Sequence, residues 1–272
     1  MTYFGFLGRF VLIPIVILTI LLLIDRRRNI QPPPAWRHWS GGLALLLHIV
    51  IAVVYTTPWD NYLVATRVWW YDPQLVTGFT IGWVPIEEYT FFILQPILAG
   101  LWLLFLMRRT NDQPPIAKNK LRFWSVLLLS IVWLATAVIL IINWQPGTYL
   151  ALELVWALPP IMLQLGFGAD ILWQHRRIVF LTIVPMTLYL SAADALAINW
   201  GTWTIDPAQS LNIFLGGILP VEEFIFFLIT NTLVTFGVVL VLAAASHRRL
   251  AALQNRIVFL KPVRFQVRGD KS

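Results

Sequence analysis

Two short stretches carry most of the chemistry this sequence can offer: Pro85-Ile86-Glu87-Glu88 and Pro220-Val221-Glu222-Glu223. Each sets a pair of carboxyls directly behind a proline, at the head of a long apolar run. Proline is favoured at the first position of a helix, where its missing N–H is no loss. The glutamates then fall in the first turn, beside the positive end of the helix dipole. Helix capping alone accounts for one such pair. Two copies in apolar surroundings, where a charge at the bilayer centre costs roughly 2.5–3.5 kcal/mol, point to use. Desolvation disfavours the charged form of a carboxyl, and a neutral acid poised in an apolar cavity is a proton donor. Neighbouring residues on a helix point about 100° apart. One glutamate of each pair can therefore face a cavity while the other holds a structural contact. Phe91 and Phe92 lie one turn beyond Glu87 and Glu88, and Phe226 and Phe227 repeat this, so each carboxyl has a phenyl on its own face. Asp194 is embedded in Ser191-Ala192-Ala193-Asp194-Ala195-Leu196, whereas Asp60, beside Pro58-Trp59, is expected nearer the membrane interface.

The elements that must position these acids are transmembrane helices. Of 272 residues, 58% are hydrophobic and 12% charged, about half the charged share of a soluble domain. The apolar runs are continuous, unlike the alternating segments of a barrel. They predict an all-α membrane protein with seven transmembrane helices, at about 7–24, 40–57, 85–107, 122–142, 149–172, 178–198 and 220–245. The first run is followed by Arg26-Arg27-Arg28 and reads as an anchor, not a cleaved signal. With the N-terminus outside and the C-terminus cytoplasmic, all but Arg9 and Arg67 of the 20 basic residues fall on the inner side, as the positive-inside rule asks. The lead-ins 75–84 and 211–219 are expected to be re-entrant or interfacial. Trp36, Trp39, Trp59, Trp69, Trp70, Trp83, Trp144, Trp200 and Trp203 fall near the predicted interfaces, where indoles settle. With no cysteine, disulfides, thiolate nucleophiles and Cys-type metal sites are excluded. Gly166-Phe167-Gly168 lacks the third glycine and the preceding strand of a dinucleotide site. His48 reads as a helix contact, and His38, His175 and His247 as cytoplasmic flank. No metal, flavin, nucleotide or nucleic-acid motif is present, and no cofactor is expected.

The chain repeats. A shift of 134 residues aligns Tyr55 with Tyr189, Asp60 with Asp194, Trp69 with Trp203 and Asp72-Pro73 with Asp206-Pro207. A shift of 135 aligns the two Pro-x-Glu-Glu stretches and the phenylalanine pairs. Three spans per unit would leave a directly joined second unit upside down, and the extra helix near 122–142 restores its orientation. The expected organisation is two parallel three-helix repeats joined by that helix. Residues 1–107 form the first repeat, 108–148 the linker and connecting helix, 149–249 the second repeat, and 250–272 a basic cytoplasmic tail.

The doubled pattern resembles the flavin-independent, integral-membrane carotenoid cyclases, whose best-known members are lycopene cyclases. The shared signature is Asp60, Trp69, Asp72-Pro73, Pro85-Ile86-Glu87-Glu88 and Phe91-Phe92. Its second copy is Asp194, Trp203, Asp206-Pro207, Pro220-Val221-Glu222-Glu223 and Phe226-Phe227. The chain looks like a single-polypeptide form of the two-subunit bacterial enzyme, with no obligate protein partner. The resemblance implies a linear carotenoid substrate such as lycopene, taken from membrane lipid. Protonation of a terminal double bond would start a redox-neutral, isomerase-type ring closure. It implies Glu87, Glu88, Glu222 and Glu223 as acid and base, with Asp60 and Asp194 assisting. Phe91, Phe92, Phe226, Phe227, Trp69 and Trp203 would contact the substrate. A β-ring product is expected. An ε-ring or C50 cyclase, a proton- or cation-coupled transporter and a non-enzymatic carotenoid- or quinone-binding subunit are the alternatives.

Overall fold

A computed structural model describes residues 1–110 and 119–259. Lys118, Lys261, Arg264, Arg268 and Lys271, and with them most of the expected linker and tail, lie outside the described residues. Seven helices among those described are long and apolar enough to cross a membrane. The first span runs as α1 (Tyr3–Leu7), a π-helical turn (Gly8–Leu12) and α2 (Ile13–Arg27). The others are α3 (Gly41–Ala65), α4 (Ile86–Met107), α5 (Asn119–Ile141), α6 (Thr148–Gln174), α7 (Arg176–Asn199) and α8 (Val221–Leu242). A further helix, α9 (Ala244–Phe259), follows the last span.

Two starts and stops differ from the hydropathic reading. The first helix begins at Tyr3, because the Thr2 hydroxyl caps it by accepting from the amide of Gly5 at 3.3 Å. The second span does not end at residue 57. Pro58 forfeits one backbone N–H, but Thr57 Oγ1 bonds the Val53 carbonyl at 2.6 Å and Asn61 Nδ2 bonds that of Thr57 at 2.9 Å. The helix continues to Ala65, so Asp60 lies inside it with 1% of its surface exposed, not at the interface.

The lead-ins to α4 and α8 are small antiparallel hairpins. β2 (Thr80–Ile81) pairs with β3 (Val84–Pro85), and β5 (Phe214–Leu215) with β6 (Leu219–Pro220). Their turns use Gly82 at φ +68 and Gly216-Gly217 at φ +59 and +76, a left-handed region that glycine enters without steric cost. The amide of Ile86 bonds the Phe79 carbonyl and that of Val221 the Ile213 carbonyl, each at 2.8 Å. Both hairpins are thereby tied to the helix they precede. Phe79, Ile81, Trp83, Ile213, Phe214 and Leu215 are exposed on them, which suits a bilayer interface.

α4 and α8 pack together at the centre of the bundle. α2 and α3 lie against α4, and α6 and α7 against α8. α3 also reaches across to α8, and α7 to α4. α5 packs along α6 at the periphery. Gln95 Nε2 bonds Asn231 Oδ1 at 2.9 Å in the core, a clasp between the central helices of the kind that membrane bundles use in place of a hydrophobic driving force. At the arginine-rich end, Arg109 grips Asp25 through two bonds at 2.7 and 2.9 Å, and Arg249 pairs with Asp170. On the opposite side, β1 (Trp69–Tyr71) pairs antiparallel with β4 (Trp203–Ile205) in the register Trp69↔Ile205, Trp70↔Thr204, Tyr71↔Trp203. A 134-residue exchange turns this ladder onto itself, with Trp70 and Thr204 at its centre.

α3 crosses α8 closely. A Cβ on Gly237 would lie 2.0 Å from His48 Nε2 and 3.2 Å from Gln164 Nε2. His48 is itself anchored through Nδ1 to the Ala44 carbonyl at 2.7 Å. Gly237→Leu therefore overpacks the crossing, at a cost of about 1–3 kcal/mol. A lower thermal unfolding midpoint in detergent is the expected result, and an unchanged midpoint would contradict the close crossing.

Candidate active site

The helix mouths decide where each glutamate points. Glu87 Oε1 accepts from the amide of Thr77 at 2.6 Å. Glu222 Oε1 accepts from the amide of Leu211 at 2.7 Å and from Ser210 Oγ at 3.1 Å. Both carboxyls are buried and serve as staples between a hairpin lead-in and its helix. One residue further along, the side chain swings by about 100°. Glu88 and Glu223 consequently face inward, into one shared chamber.

The chamber lies between α1, α3, α4, α6, α7 and α8, roofed by the β1–β4 ladder. Asp60, Asp194, Glu88 and Glu223 all line it. So do Phe91, Phe92, Phe226 and Phe227 from one turn deeper, and Trp69 and Trp203 from the ladder. Glu87 and Glu222 stand behind this wall. Among the expected interfacial indoles, Trp59 is also a wall residue, stacked on Trp156 with ring centroids 4.4 Å apart.

Each inward glutamate is held by tyrosine. Tyr149 donates to Glu223 Oε1 at 2.8 Å. Tyr3 makes a short bond to Glu88 Oε2, and Tyr71 donates to the same oxygen at 3.1 Å. Tyr71 lies outside the spans. Burial of its hydroxyl first, and the Glu88 carboxyl second, push that phenol well above its ordinary value, so it remains a donor across the physiological range. Asp194 meets the indole of Trp203, while neither carboxyl oxygen of Asp60 has a hydrogen-bond partner. Sequence reasoning missed the tyrosines because the shift that aligns the first helices of the two units is 146, not 134. At 146, Tyr3 meets Tyr149, Phe10 meets Trp156 and Pro14 meets Pro160. The larger shift reflects the connection between the first and second helices, which is residues 28–40 in the first unit and His175 alone in the second.

Below the carboxyls a second, apolar groove lies against the chamber, and Phe91, Phe92 and Phe226 belong to the walls of both. Ile51, Ala52 and Tyr55 of α3 form one bank, and Trp156, Pro160 and Gln164 of α6 the other. These two helices are bridged near the chamber by side chains: Tyr55 OH bonds the Trp156 carbonyl at 2.9 Å and Trp59 Nε1 the Leu152 carbonyl at 3.0 Å. Ile51 is 50% exposed and Tyr55 41%, so the bank of the groove faces lipid. On the far side of the bundle, Tyr189 OH repeats the bridge to the Phe10 carbonyl at 2.9 Å. There Met186 and Leu190 are buried in the core.

Residues 9–107 and 146–236 match the family model described as lycopene cyclase. The chain belongs to the lycopene cyclase family. Over 202 residues it is 38% identical to the lycopene beta-cyclase of Halobacterium salinarum, covering 74% of this chain and 82% of that one. It is 34% identical to the bifunctional lycopene cyclase/phytoene synthase of Gibberella fujikuroi across 72% of this chain. A second bifunctional relative, from Aspergillus oryzae, is 33% identical across 70% of it. The alignments cover 34% and 33% of those two fungal proteins. No solved structure matches the chain. In this member of the family, the embedded acids that also suggested a transporter belong to an enzyme catalysing cyclisation.

The two kinds of glutamate separate by experiment. Glu222→Ala frees the amide of Leu211 and the hydroxyl of Ser210, and lost bonds of this kind cost about 1–3 kcal/mol. Glu223→Gln keeps an oxygen for Tyr149. The expected result is a lower unfolding midpoint for the first variant and a near-native one for the second. The reverse order would mean that the outer glutamate is not the staple.

Proposed function

We propose that the chain is a lycopene β-cyclase, an isomerase-type intramolecular lyase that closes the ψ ends of lycopene into β rings, with Glu88 and Glu223 as its acid–base pair. The observation that carries this reading is one aromatic-walled chamber. It holds two tyrosine-bonded carboxyls and shares a wall of phenylalanines with a lipid-facing groove. Lycopene is too apolar to leave the bilayer. It enters between α3 and α6, the polyene lies in the groove, and one end reaches the carboxyls. A carboxylic acid protonates the terminal double bond and a tertiary cation forms. The neighbouring double bond attacks and closes a six-membered ring, and a carboxylate removes a ring proton. No electrons are gained or lost overall, so the reaction asks for no redox partner. Phe91, Phe226, Trp59 and the other wall rings offer π-faces to the cation, worth roughly 0.5–2 kcal/mol each. With little water in reach, the cation is protected from hydration. Asp60 and Asp194 assist the proton traffic, and Trp69 and Trp203 shape the end of the chamber.

The self-symmetric β1–β4 ladder and the matching hairpins support a division into two parallel units, 1–107 and 149–249, joined through 108–148. Basic residues around Arg26, Arg108 and Arg176 support a cytoplasmic placement of that end, with the N-terminus and the chamber toward the outer side. The polypeptide carries both repeats, and the chamber draws carboxyls from each, so no second protein is needed to complete it.

Glu88→Gln and Glu223→Gln are each expected to reduce ring formation in lycopene-accumulating cells by at least about 10²-fold, the usual worth of a general acid or base. Both proteins should still be present in the membrane. Pigment analysis reads the outcome, and near-native β-carotene in either variant would remove that residue from the mechanism. Topology is tested in the naturally cysteine-free chain. Gln74→Cys is expected to react with an impermeant maleimide in intact cells, and Asn29→Cys only after permeabilisation. The opposite pattern would invert the orientation.

A further inference from the structure

The two matching indoles of the β1–β4 ladder donate to different partners. In the second half, Trp203 meets Asp194. In the first half, Asp60 has no hydrogen-bond partner on either carboxyl oxygen. Trp69 Nε1 donates instead to the hydroxyl of Tyr71 at 3.1 Å. One residue makes the difference. Alternate residues of a strand share a face, so Tyr71 stands beside Trp69 and takes its N–H. Two residues beyond Trp203 stands Ile205, which offers no oxygen. An indole N–H can only donate. The Tyr71 oxygen therefore accepts from Trp69, and its own proton goes to Glu88 Oε2 at 3.1 Å. Tyr3 brings a second phenol to that same oxygen, and its ring stacks on Tyr71 with centroids 6.0 Å apart. Glu223 has the single phenol of Tyr149. Glu88 alone is thus held by a chain in which each proton points toward it, from the Trp69 N–H through the Tyr71 O–H to the carboxyl.

Two donors on Oε2 fix where the Glu88 carboxyl sits and leave Oε1 as the oxygen free to take up a proton. Ring closure leaves a cation on a ring carbon with C–H bonds on both adjacent ring atoms. Loss of the proton from the carbon that carries the polyene makes a β ring, and loss from the ring CH2 makes an ε ring. The position of the base selects between them, because a displacement of about 1 Å costs on the order of 10² in rate. We propose that Tyr71, oriented by Trp69, is a positioning residue that holds Glu88 as the proton acceptor and thereby sets the ring type. The inference rests on the cyclase reading above and names what decides its product. In the step itself, a C–H bond beside the cation breaks and its electron pair becomes the ring double bond. The proton passes to Glu88 Oε1. It balances the proton that the donor acid gave to the terminal double bond, so closure is neutral overall. Tyr71 acts through Glu88 and keeps its own proton throughout.

The test reads ring type as well as yield. The full chain and its variants are expressed in lycopene-accumulating cells, and the rings are identified by chromatography and NMR. Tyr71→Phe keeps the ring stacked on Tyr3 and removes the donor. Tyr71→Ile copies the residue that the fold accepts at position 205. Trp69→Phe keeps the phenol but no longer directs its proton, and it carries the comparison if a Tyr71 variant fails to accumulate. Wild type is expected to form a single ring type, and a mixture from it would count against a fixed base. In both Tyr71 variants the share of the other ring type is expected to rise about tenfold, the equivalent of one hydrogen bond to a charged group. Trp69→Phe shifts it in the same direction by less. Tyr149→Phe, which loosens Glu223 instead, is expected to lower the yield and leave the ring type alone. Lower yields with the ring type of wild type in every variant would overturn the role of Tyr71 while leaving the cyclase reading intact. So would a Tyr71→Phe protein that reaches the wild-type level in the membrane yet forms no rings, because the phenol would then be a reacting group. Absence of rings from wild type would overturn both.

Discussion

The four glutamates at the helix mouths sit within the bundle because donors are brought to them, and much of the architecture follows from that requirement. Four glutamates sit at the mouths of the two central helices, and each obtains its donors from a different part of the chain. Glu87 and Glu222 draw on backbone amides of the lead-ins, which obliges those lead-ins to fold back over the helix mouths. Glu88 and Glu223 draw on phenols at the outer ends of α1 and α6, which obliges the first helix of each unit to dock against the last. An unpaired polar group in such surroundings costs several kcal/mol. The hydrogen bonds at the mouths and the packing of the bundle are consequently one problem with one solution.

The internal repeat of the sequence runs through most of that solution, and departures from it mark the rest. The β1–β4 ladder joins the units around Trp70 and Thr204 and brings two acid-bearing helix mouths into one space. Symmetric bridges from Tyr55 to α6 and from Tyr189 to the first span close both flanks of the chamber. Below the bridges the symmetry lapses. Between α3 and α6 a groove remains open toward lipid, while buried Met186 and Leu190 pack into the core on the other flank. Tyr71 against Ile205 breaks the symmetry again at the carboxyls themselves.

The chamber's chemistry matches its walls. A carbocation formed from a hydrocarbon needs stabilisation that does not itself attack. Aromatic faces supply this through their quadrupoles, and the four phenylalanines one turn below the glutamates place such faces beside the proposed acid and base. The same rings form the floor of the chamber and the upper wall of the groove.

Much of this was legible in the amino-acid order, and the division is physical. Seven spans and the paired Pro-x-Glu-Glu mouths depend on hydropathy and proline's fixed geometry, both of them local properties. Asp60 and Asp194, the phenylalanine pairs and Trp69 with Trp203 could be matched by a constant shift, because each repeat keeps its internal spacing. What lay beyond reach depends on rotation and contact. Whether Glu87 or Glu88 faces inward is a matter of one 100° step, decided by which amide the hairpin presents. Asp60 is buried and not interfacial because α3 continues past Pro58 to Ala65, a result that hydropathy does not weigh. Tyr3, Tyr71 and Tyr149 are scattered along the chain and meet the glutamates only once the first spans dock and the ladder forms. The groove between α3 and α6 is the absence of a contact. Local sequence determined that acids stand at two helix mouths; tertiary packing alone decided which of them share one chamber, what holds them, and which flank of the bundle is left open beside them.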